Sequence, residues 1–414
     1  MRIALVHPTL EVRGGAENIV VWLALGLKQR GHEVTVFTAG YAPGLWKEGG
    51  ASAIQVEVLR DRLAFLNSTR LTLLCLGRAL RRRLADFDVV NSHNWPSNLW
   101  VARARRGTHR FPRVVWYCQE PSRRIHWEKT DKNLVSFVAG PSDPRYNAHL
   151  RDDVERERRS ASRSPQRVRK RARDIAWDRA AAAAADTVLV NSRFSKANFE
   201  DVYGRAATVC YLGIPQSRLG EPCSAKQPYF CAVSALTRKK NIHNVIEAMD
   251  ILVNQRGLKD IHLKIAGDGS DRGIMENMAA QHGLAGCVEF LGFVPDDELI
   301  RVYQGARLLV YVPVDEPFGL VPLEAMACGT PVIASDHGGP LETVVHGQTG
   351  LHVSPFDPVA IAEGIRSLYY DEGTRRAMGE NGARRVREQF TIESFLDRFE
   401  RLAFAGDGGR PGGA

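Results

Sequence analysis

Short apolar runs alternate with longer stretches of helical periodicity along most of the chain. Ile3 to His7 reads as a strand, a glycine turn follows, and an apolar stripe through Val20, Trp22, Leu23 and Leu27 predicts a helix that Gly31 ends. Glu33 to Phe37, Ile54 to Leu59, Val89 to His93, Val114 to Cys118 and Thr187 to Val190 read as further strands, with helices over Leu71 to Leu84 and Ile175 to Ala185. Val209 to Pro215 is the last strand-like piece of the first half. The alternation then restarts: strands over Tyr229–Ser234, Ile261–Ala266, Val288–Pro295, Leu308–Pro313, Pro331–Ser335 and Gly347–Val353, a helix over Ile242–Gln255, and closing helices over Val359–Tyr369, Thr374–Glu388 and Thr391–Ala403. Alternation of this kind predicts an α/β fold of two parallel-sheet domains facing across a cleft.

The expected boundaries are an N-terminal domain over 1–214 with a basic helical insertion at about 122–178, a linker over 215–228, a C-terminal domain over 229–388, a crossing helix over 389–404 and a disordered tail over 405–414. The linker is placed by its prolines, glycine, serine and charges, and the tail by its glycines. A length of 414 residues suits two domains with substantial cores. The net charge of +9 is concentrated: Arg151 to Arg173 holds ten Lys/Arg against four Asp/Glu, so this one segment makes the chain basic. A solvated face, an anionic surface such as a membrane or acceptor, and nucleic acid are the three explanations, and the lack of aromatic residues among these arginines weakens the last. Seven scattered cysteines without a C-x-x-C pair argue for a reducing compartment and against a zinc ribbon. The first apolar stretch is too short for a signal peptide, and the run Ile19 to Leu27 is about half a membrane span, so the expectation is a cytoplasmic protein, at most peripheral to a membrane.

Candidate chemistry centres on Glu316-Pro317-Phe318-Gly319-Leu320-Val321-Pro322-Leu323-Glu324. Pro322, the helix formers after it and Gly329 mark a short helix, with Glu316 in the preceding loop and Glu324 in the first turn. Backbone N–H groups of Phe318, Gly319, Leu320 and Val321 at a helix start favour a diphosphate, and Gly319 lets the backbone approach it. Of the carboxylates on either side, Glu316 and Glu324, one can take sugar hydroxyls and the other ribose hydroxyls; the bland alternative for Glu324 is a helix-start acid meeting the dipole. Arg238, Lys239 and Lys240 form a cationic turn at a strand's carboxyl end, where mutual repulsion calls for an anion; a plain solvated turn is the alternative. Gly14-Gly15, with Glu17, lies at the carboxyl end of the first strand, where open α/β sheets bind ligands, or is simply a tight turn. His93 and its neighbours face the cleft if the sheet is parallel, although a lone histidine is usually structural. Asp86-Phe87-Asp88 precedes a buried strand and reads as a turn rather than a metal motif. No metal-ligand cluster is visible, no 20- to 50-residue repeat appears, and the absence of G-x-G-x-x-G disfavours a nicotinamide enzyme.

The span from Asp315 to Ser335, with its EPFG opening and EAMACGTPVIAS continuation, resembles the E-x7-E signature of the family 4 retaining glycosyltransferases. The Gly14-Gly15-Ala16-Glu17 turn resembles the same family's first loop. The resemblance covers nearly the whole chain, is strongest from Tyr229 to Leu351 and weakest from Ser122 to Asp178, and implies a GT-B fold of two Rossmann-like domains. It implies transfer of a sugar from a UDP- or GDP-sugar to a hydroxyl acceptor, with the nucleotide sugar as co-substrate and neither cofactor nor metal. Donor contacts would come from Gly15, Arg238, Lys240, Gly267, Phe293, Val294, Glu316, Phe318, Gly319, Leu320, Val321 and Glu324, and acceptor contacts from Gly14, Glu17, His93 and Arg123. Glu316, Lys240 and Gln119 are the catalytic candidates. The family's Lys matches Lys240, but its Arg position falls on Ala235, so either Arg238 substitutes or phosphate is held more weakly. Gln119 stands where many members carry histidine; an amide can orient a substrate but cannot be a general base. These two departures keep open a nucleotide-sugar-binding protein without transfer activity.

Overall fold

The computed structural model describes residues 1–46, 51–59, 69–140, 145–162, 164–223 and 225–405. Residues 406–414 of the tail expected over 405–414, and Arg163 of the basic segment, lie outside them. The chain forms two compact units: Met1–Thr130, Gln166–Gly213 and Ile392 onward in unit 1, and Asp131–Pro165 with Ile214–Thr391 in unit 2.

Unit 1 holds β1 (Arg2–His7), β2 (Glu33–Thr38), β3 (Gln55–Val58), β4 (Val89–His93), β5 (Arg113–Tyr117), β6 (Thr187–Val190) and β7 (Thr208–Val209), in the order β3-β2-β1-β4-β5-β6-β7. Every pairing is parallel. Central strands buried on both faces need near-continuous apolar runs, and β1 accordingly buries every residue from Ile3 to His7. Helix Gly15–Gln29 and the final helix Ile392–Phe404 pack together: Gly26 has no room for a Cβ beside Leu396, and Arg30 pairs with Glu400 at 2.8 Å.

Unit 2 holds β8 (Phe230–Val233), β9 (Leu263–Ala266), β10 (Val288–Gly292), β11 (Leu309–Tyr311), β12 (Val332–Ser335) and β13 (Gly350–Val353), in the order β10-β9-β8-β11-β12-β13, again all parallel. Its core joins Phe230, Ile246, Ile265, Val310, Ile333 and Ile365. Each sheet reverses its winding once, between β1 and β4 in unit 1 and between β8 and β11 in unit 2. The carboxyl ends at such a reversal form the natural ligand crevice of an open α/β sheet.

The segment from Ser122 to Asp178, expected as a basic helical insertion, holds the helices Arg123–Thr130, Lys132–Ala139, Ala148–Ser162 and Pro165–Ala183. The residues Asp131–Pro165, which the sequence boundaries place in the N-terminal domain, cluster with unit 2. Single polar side chains hold them there: Asn147 Nδ2 donates to the Phe356 carbonyl at 2.8 Å, and Asn244 Nδ2 donates to Asn147 Oδ1 at 2.6 Å. The stretch read as a linker also belongs to unit 2, where Cys328 fills the space a Cβ on Gly220 would need.

His149 and His243 stack with ring centroids 4.0 Å apart, and His149 Nε2 meets Asn241 Oδ1 at 3.0 Å. Burial first, then the neighbouring imidazole and Arg238, hold His149 down at about 3, and burial holds His243 down at about 4. In the unfolded chain both take up protons near the ordinary imidazole value. Between that pH and about 4 the unfolded state therefore binds more protons, and stability falls as pH falls. The expected acid loss at pH 4 is about 3 kcal/mol from each ring, on the order of 6 kcal/mol for the pair. Chemical denaturation of the native chain and of His243→Asn from pH 7 to 4 checks this; parallel pH profiles would contradict it.

Candidate functional site

The turn after β8 is a single helical turn, Arg238–Lys240, closed by Asn241 in the left-handed region at φ 62°. Asparagine is among the residues that tolerate that region, and distant partners fix its side chain: Nδ2 donates to the carbonyls of Val312 and Pro355 at 3.0 and 2.7 Å. The neighbouring strand β11 runs through Val314 into Asp315, at φ 52°, and then Glu316. The Val314 amide donates to the Lys239 carbonyl at 2.9 Å, tying the two turns together. Lys240 Nζ consequently donates to Glu316 Oε2 at 2.6 Å, and the buried Tyr311 hydroxyl donates to the same carboxylate.

The other two cations face elsewhere. Lys239 pairs with the buried Asp131, and Arg238 lies 3.8 Å from Asp271 while lining a cavity of about 420 Å³ with Asp152, Glu155, Arg156, Arg159 and Ser160. Each cation of the turn thus has its own carboxylate, so their mutual repulsion does not by itself require a bound anion. The expected grouping of Arg238 with Lys240 is not how their side chains point.

Helix Leu320–Ala327 begins after Gly319, whose φ of 94° is a glycine conformation. Leu320 and Val321 are half-buried and the Phe318 ring is buried, so these residues can offer a ligand their backbone. Gly338 and Gly339 let the next turn nest on this one: a Cβ on Gly339 would collide with Phe318 Cα, and the Gly339 amide donates to the Glu316 carbonyl at 2.8 Å. Glu324 is the fifth helical residue, one turn deeper than the sequence expectation, because the helix starts before Pro322. It is 4% exposed. Arg218 donates to its Oε1 at 2.6 Å and Tyr303 to its Oε2 at 2.9 Å, while Arg218 also reaches Asp296 at 2.6 Å. Burial pushes the Glu324 carboxyl up, and Arg218 and Tyr303 oppose that. Glu324 is therefore no mere dipole-facing surface acid.

At the same sheet edge, Phe293 after β10 is 70% exposed and Val294 half-buried. Gly267 after β9, at φ 130°, is there because a Cβ would run into the Ser234 carbonyl, a backbone packing need.

In unit 1, Gly14 precedes helix Gly15–Gln29, and the Glu17 carboxylate folds back onto the Gly14 amide. This is one half of a capping box, since Gly14 has no side chain to return the bond, and it accounts for a glutamate three residues after the turn. His93 lies at the β1/β4 reversal but is fully buried, stacked 5.3 Å from Tyr117, and burial and His7 hold it well below the usual imidazole value. It is a neutral core ring rather than an open cleft residue. Gln119 is half-buried with its carbonyl accepting from the Ser195 hydroxyl at 3.0 Å, and Arg123 pairs with Glu120 at 2.6 Å. Asp88 accepts from the Arg2 amide at 2.7 Å, which makes Asp86-Phe87-Asp88 a turn.

Arg218, Tyr303, Tyr311 and Asp315 were not among the sequence candidates. Arg218 lies in the stretch expected as linker and Tyr311 in the strand expected over Leu308–Pro313. Among the described residues no group of three His, Cys, Asp or Glu side chains is placed to hold a metal ion.

The model for Glycosyltransferase Family 4 matches residues 13–218, and that for Glycosyl transferases group 1 matches residues 217–385. The human alpha-1,3/1,6-mannosyltransferase ALG2 is 26% identical, covering 96% of this chain and 94% of its own. Sucrose-phosphate synthase from Thermosynechococcus elongatus superposes with a TM-score of 0.74 at 23% identity, covering 97% of this chain and 98% of its own. Anabaena HepE in complex with UDP gives 0.72 at 18% identity, covering 97% and 99%. The two parallel-sheet units are those of the GT-B fold.

Removing Arg218 leaves the buried Glu324 charge without its guanidinium. Arg218→Ala is expected to cost about 3–5 kcal/mol, whereas Arg218→Ala combined with Glu324→Leu recovers much of it. Urea unfolding of both variants measures the difference; equal losses would deny the pair its strength.

Proposed function

The chain belongs to glycosyltransferase family 4 and is a glycosyltransferase; on that premise we propose that it moves a sugar, with retention at the anomeric carbon, from a nucleoside-diphosphate sugar to a hydroxyl of a glycan, glycolipid precursor or natural-product acceptor. The observation that carries this is the Lys240–Glu316 pair, 2.6 Å apart beside a glycine-started helix at the sheet's reversal. An ammonium has three donors and Glu316 takes one, leaving two for phosphate oxygens. Lys240 and the backbone amides from Phe318 to Val321 would stabilise charge growing on the departing diphosphate, the kind of preorganised field that lowers a barrier most. Glu316 would hold sugar hydroxyls, Glu324 the ribose, and Phe293-Val294 with Gly267 the base. Gln119 and Gly15 would supply neutral donors from unit 1, with Gly14 and Arg123 toward the acceptor. Neither metal nor cofactor enters this reading, and the leaving phosphate would take the acceptor's proton.

The likeness to a mannosyltransferase supports mannose as the transferred sugar, and the UDP held by HepE keeps uridine beside guanosine as the base. Incubation with UDP- and GDP-sugars, with and without acceptor sugars, should release nucleoside diphosphate. Glu316→Ala and Lys240→Met should each lower release by about 100- to 1,000-fold without unfolding. Near-normal rates would remove those residues from the site. Ala235, where the family carries Arg, favours a second reading, a nucleotide-sugar binder; stabilisation by nucleotide without release from any donor would select it.

Among the described residues no helix is long and apolar enough to cross a membrane. Arg156, Arg158, Arg159, Arg167 and Arg169 are exposed. We propose that this segment gives a cytoplasmic enzyme peripheral contact with anionic lipid. Binding to phosphatidylserine vesicles should be strong at low salt and fall steeply at physiological salt; vesicle sedimentation that ignores salt, or its absence, would refute the contact.

A further inference from the structure

The residues beside Lys240 and Glu316 in sequence are both gripped by one short helix, Lys132–Ala139. Asp131, directly before it, pairs with Lys239. Asp315, fully buried and in the left-handed region at φ 52°, accepts on Oδ1 from Asn133 Nδ2 at 2.6 Å and on Oδ2 from the Leu134 amide at 3.0 Å. Phe137, on the same helical face as Asn133, stacks on Phe356 at 4.1 Å, and Phe356 stacks in turn on His337 at 5.6 Å. His337 Nε2 accepts from the Asp315 amide at 3.4 Å, so the helix reaches the backbone of that turn as well as its carboxylate.

We infer that Asn133 and Asp315 are positioning residues for Glu316, and that Asp131 does the same for Lys240, making helix Lys132–Ala139 the brace that fixes the distance between the two groups. This rests on the reading of Glu316 and Lys240 as the donor-binding pair. The physical reason lies in the turn. An aspartate at positive φ is sparsely populated unless its surroundings over-determine it. Two donors on the carboxylate and one acceptor on the amide supply that over-determination. They do so one residue before the side chain that must be placed. The turns after β8 and β11 are joined through backbone by the Val314 amide on the Lys239 carbonyl, but that bond leaves the Lys239 and Asp315 side chains to be fixed by other partners. The helix touches both turns and fixes both.

A brace differs from simple packing in acting through the pair. In Asn133→Ala and in Asp315→Asn of the full chain, kcat/KM for donor turnover, followed as nucleotide release, should fall about 10- to 100-fold, the scale of a misplacement near 1 Å. The melting temperature should move little by comparison. In a Glu316→Gln background, Asn133→Ala should cost less than threefold, because the group being aimed is already altered. A second readout needs no turnover: acylation of Lys240 by a water-soluble amine reagent, quantified by peptide mass spectrometry, should speed several-fold in Asn133→Ala, while Lys264 reacts as before. Equal fractional losses in both backgrounds, or an unchanged Lys240 acylation rate, would overturn the inference. A native chain that releases no nucleotide from any donor would count against the donor reading, and the acylation arm would still decide the brace.

Discussion

A lysine and a glutamate seventy-six positions apart share a 2.6 Å hydrogen bond because β8 and β11 lie side by side in a parallel sheet. In a parallel sheet every strand ends at the same edge, and where the winding reverses two loops diverge to opposite faces and leave a gap between them. Lys240 follows one of those strands and Glu316 the other. Neither charge is fully hydrated: the side chains are 30% and 16% exposed. At an effective dielectric of about 20, unit charges at contact attract by about 4 kcal/mol, much of it offset by lost hydration. The pair therefore adds little net stability and a well-defined geometry. A site that must meet charge appearing on a leaving group needs that geometry fixed beforehand.

The two glutamates of the motif divide along the same line. Glu316 sits in a loop with an ammonium and a phenol as neighbours, open enough to exchange partners. Glu324 is buried in the helix, with Arg218 and Tyr303 each on one oxygen. Arg218 also bonds Asp296, three residues past Phe293 at the end of β10, so the segment that carries it links the two halves of the sheet's carboxyl edge. A group held this firmly can present a fixed acceptor, and moving it would cost the whole network.

Sequence made the repeated strands, the closing helices and the Glu316–Glu324 turn legible because each is a local pattern: an apolar run bounded by turn residues, or a proline-to-glycine helix. Most strand boundaries fell within a few residues, whereas the helix read from Ile175 begins at Pro165 and the strand read over Val209–Pro215 is only Thr208–Val209. What stayed hidden depends on one side chain meeting one distant partner. Arg218 sits among the prolines and charges of a stretch that looks like linker, and only its pairing with Glu324 and Asp296 shows otherwise. Asp131, Asn133 and Phe137 carry no periodic signal, yet they hold their helix in unit 2. Phe293 and Gly267 differ in the same way: the exposed ring offers a surface, whereas the glycine answers a backbone collision that no motif reports.

Unit 1 bears on the chemistry through what its named residues are already doing. Burial holds His7 down at about 4 and holds His93 well below the usual imidazole value, so both rings are neutral near pH 7 and sequestered. The Glu17 carboxylate caps its own helix and is raised by burial. Gln119 is an amide, and Arg123 is engaged with Glu120. None of these groups is poised to pull a proton from an acceptor hydroxyl at neutral pH. A transfer in which the departing phosphate oxygen takes that proton asks for none of them. It asks for a cation and amides to hold the diphosphate on the same face as the incoming hydroxyl, the part that the proposed reading gives to Lys240 and to the backbone after β11.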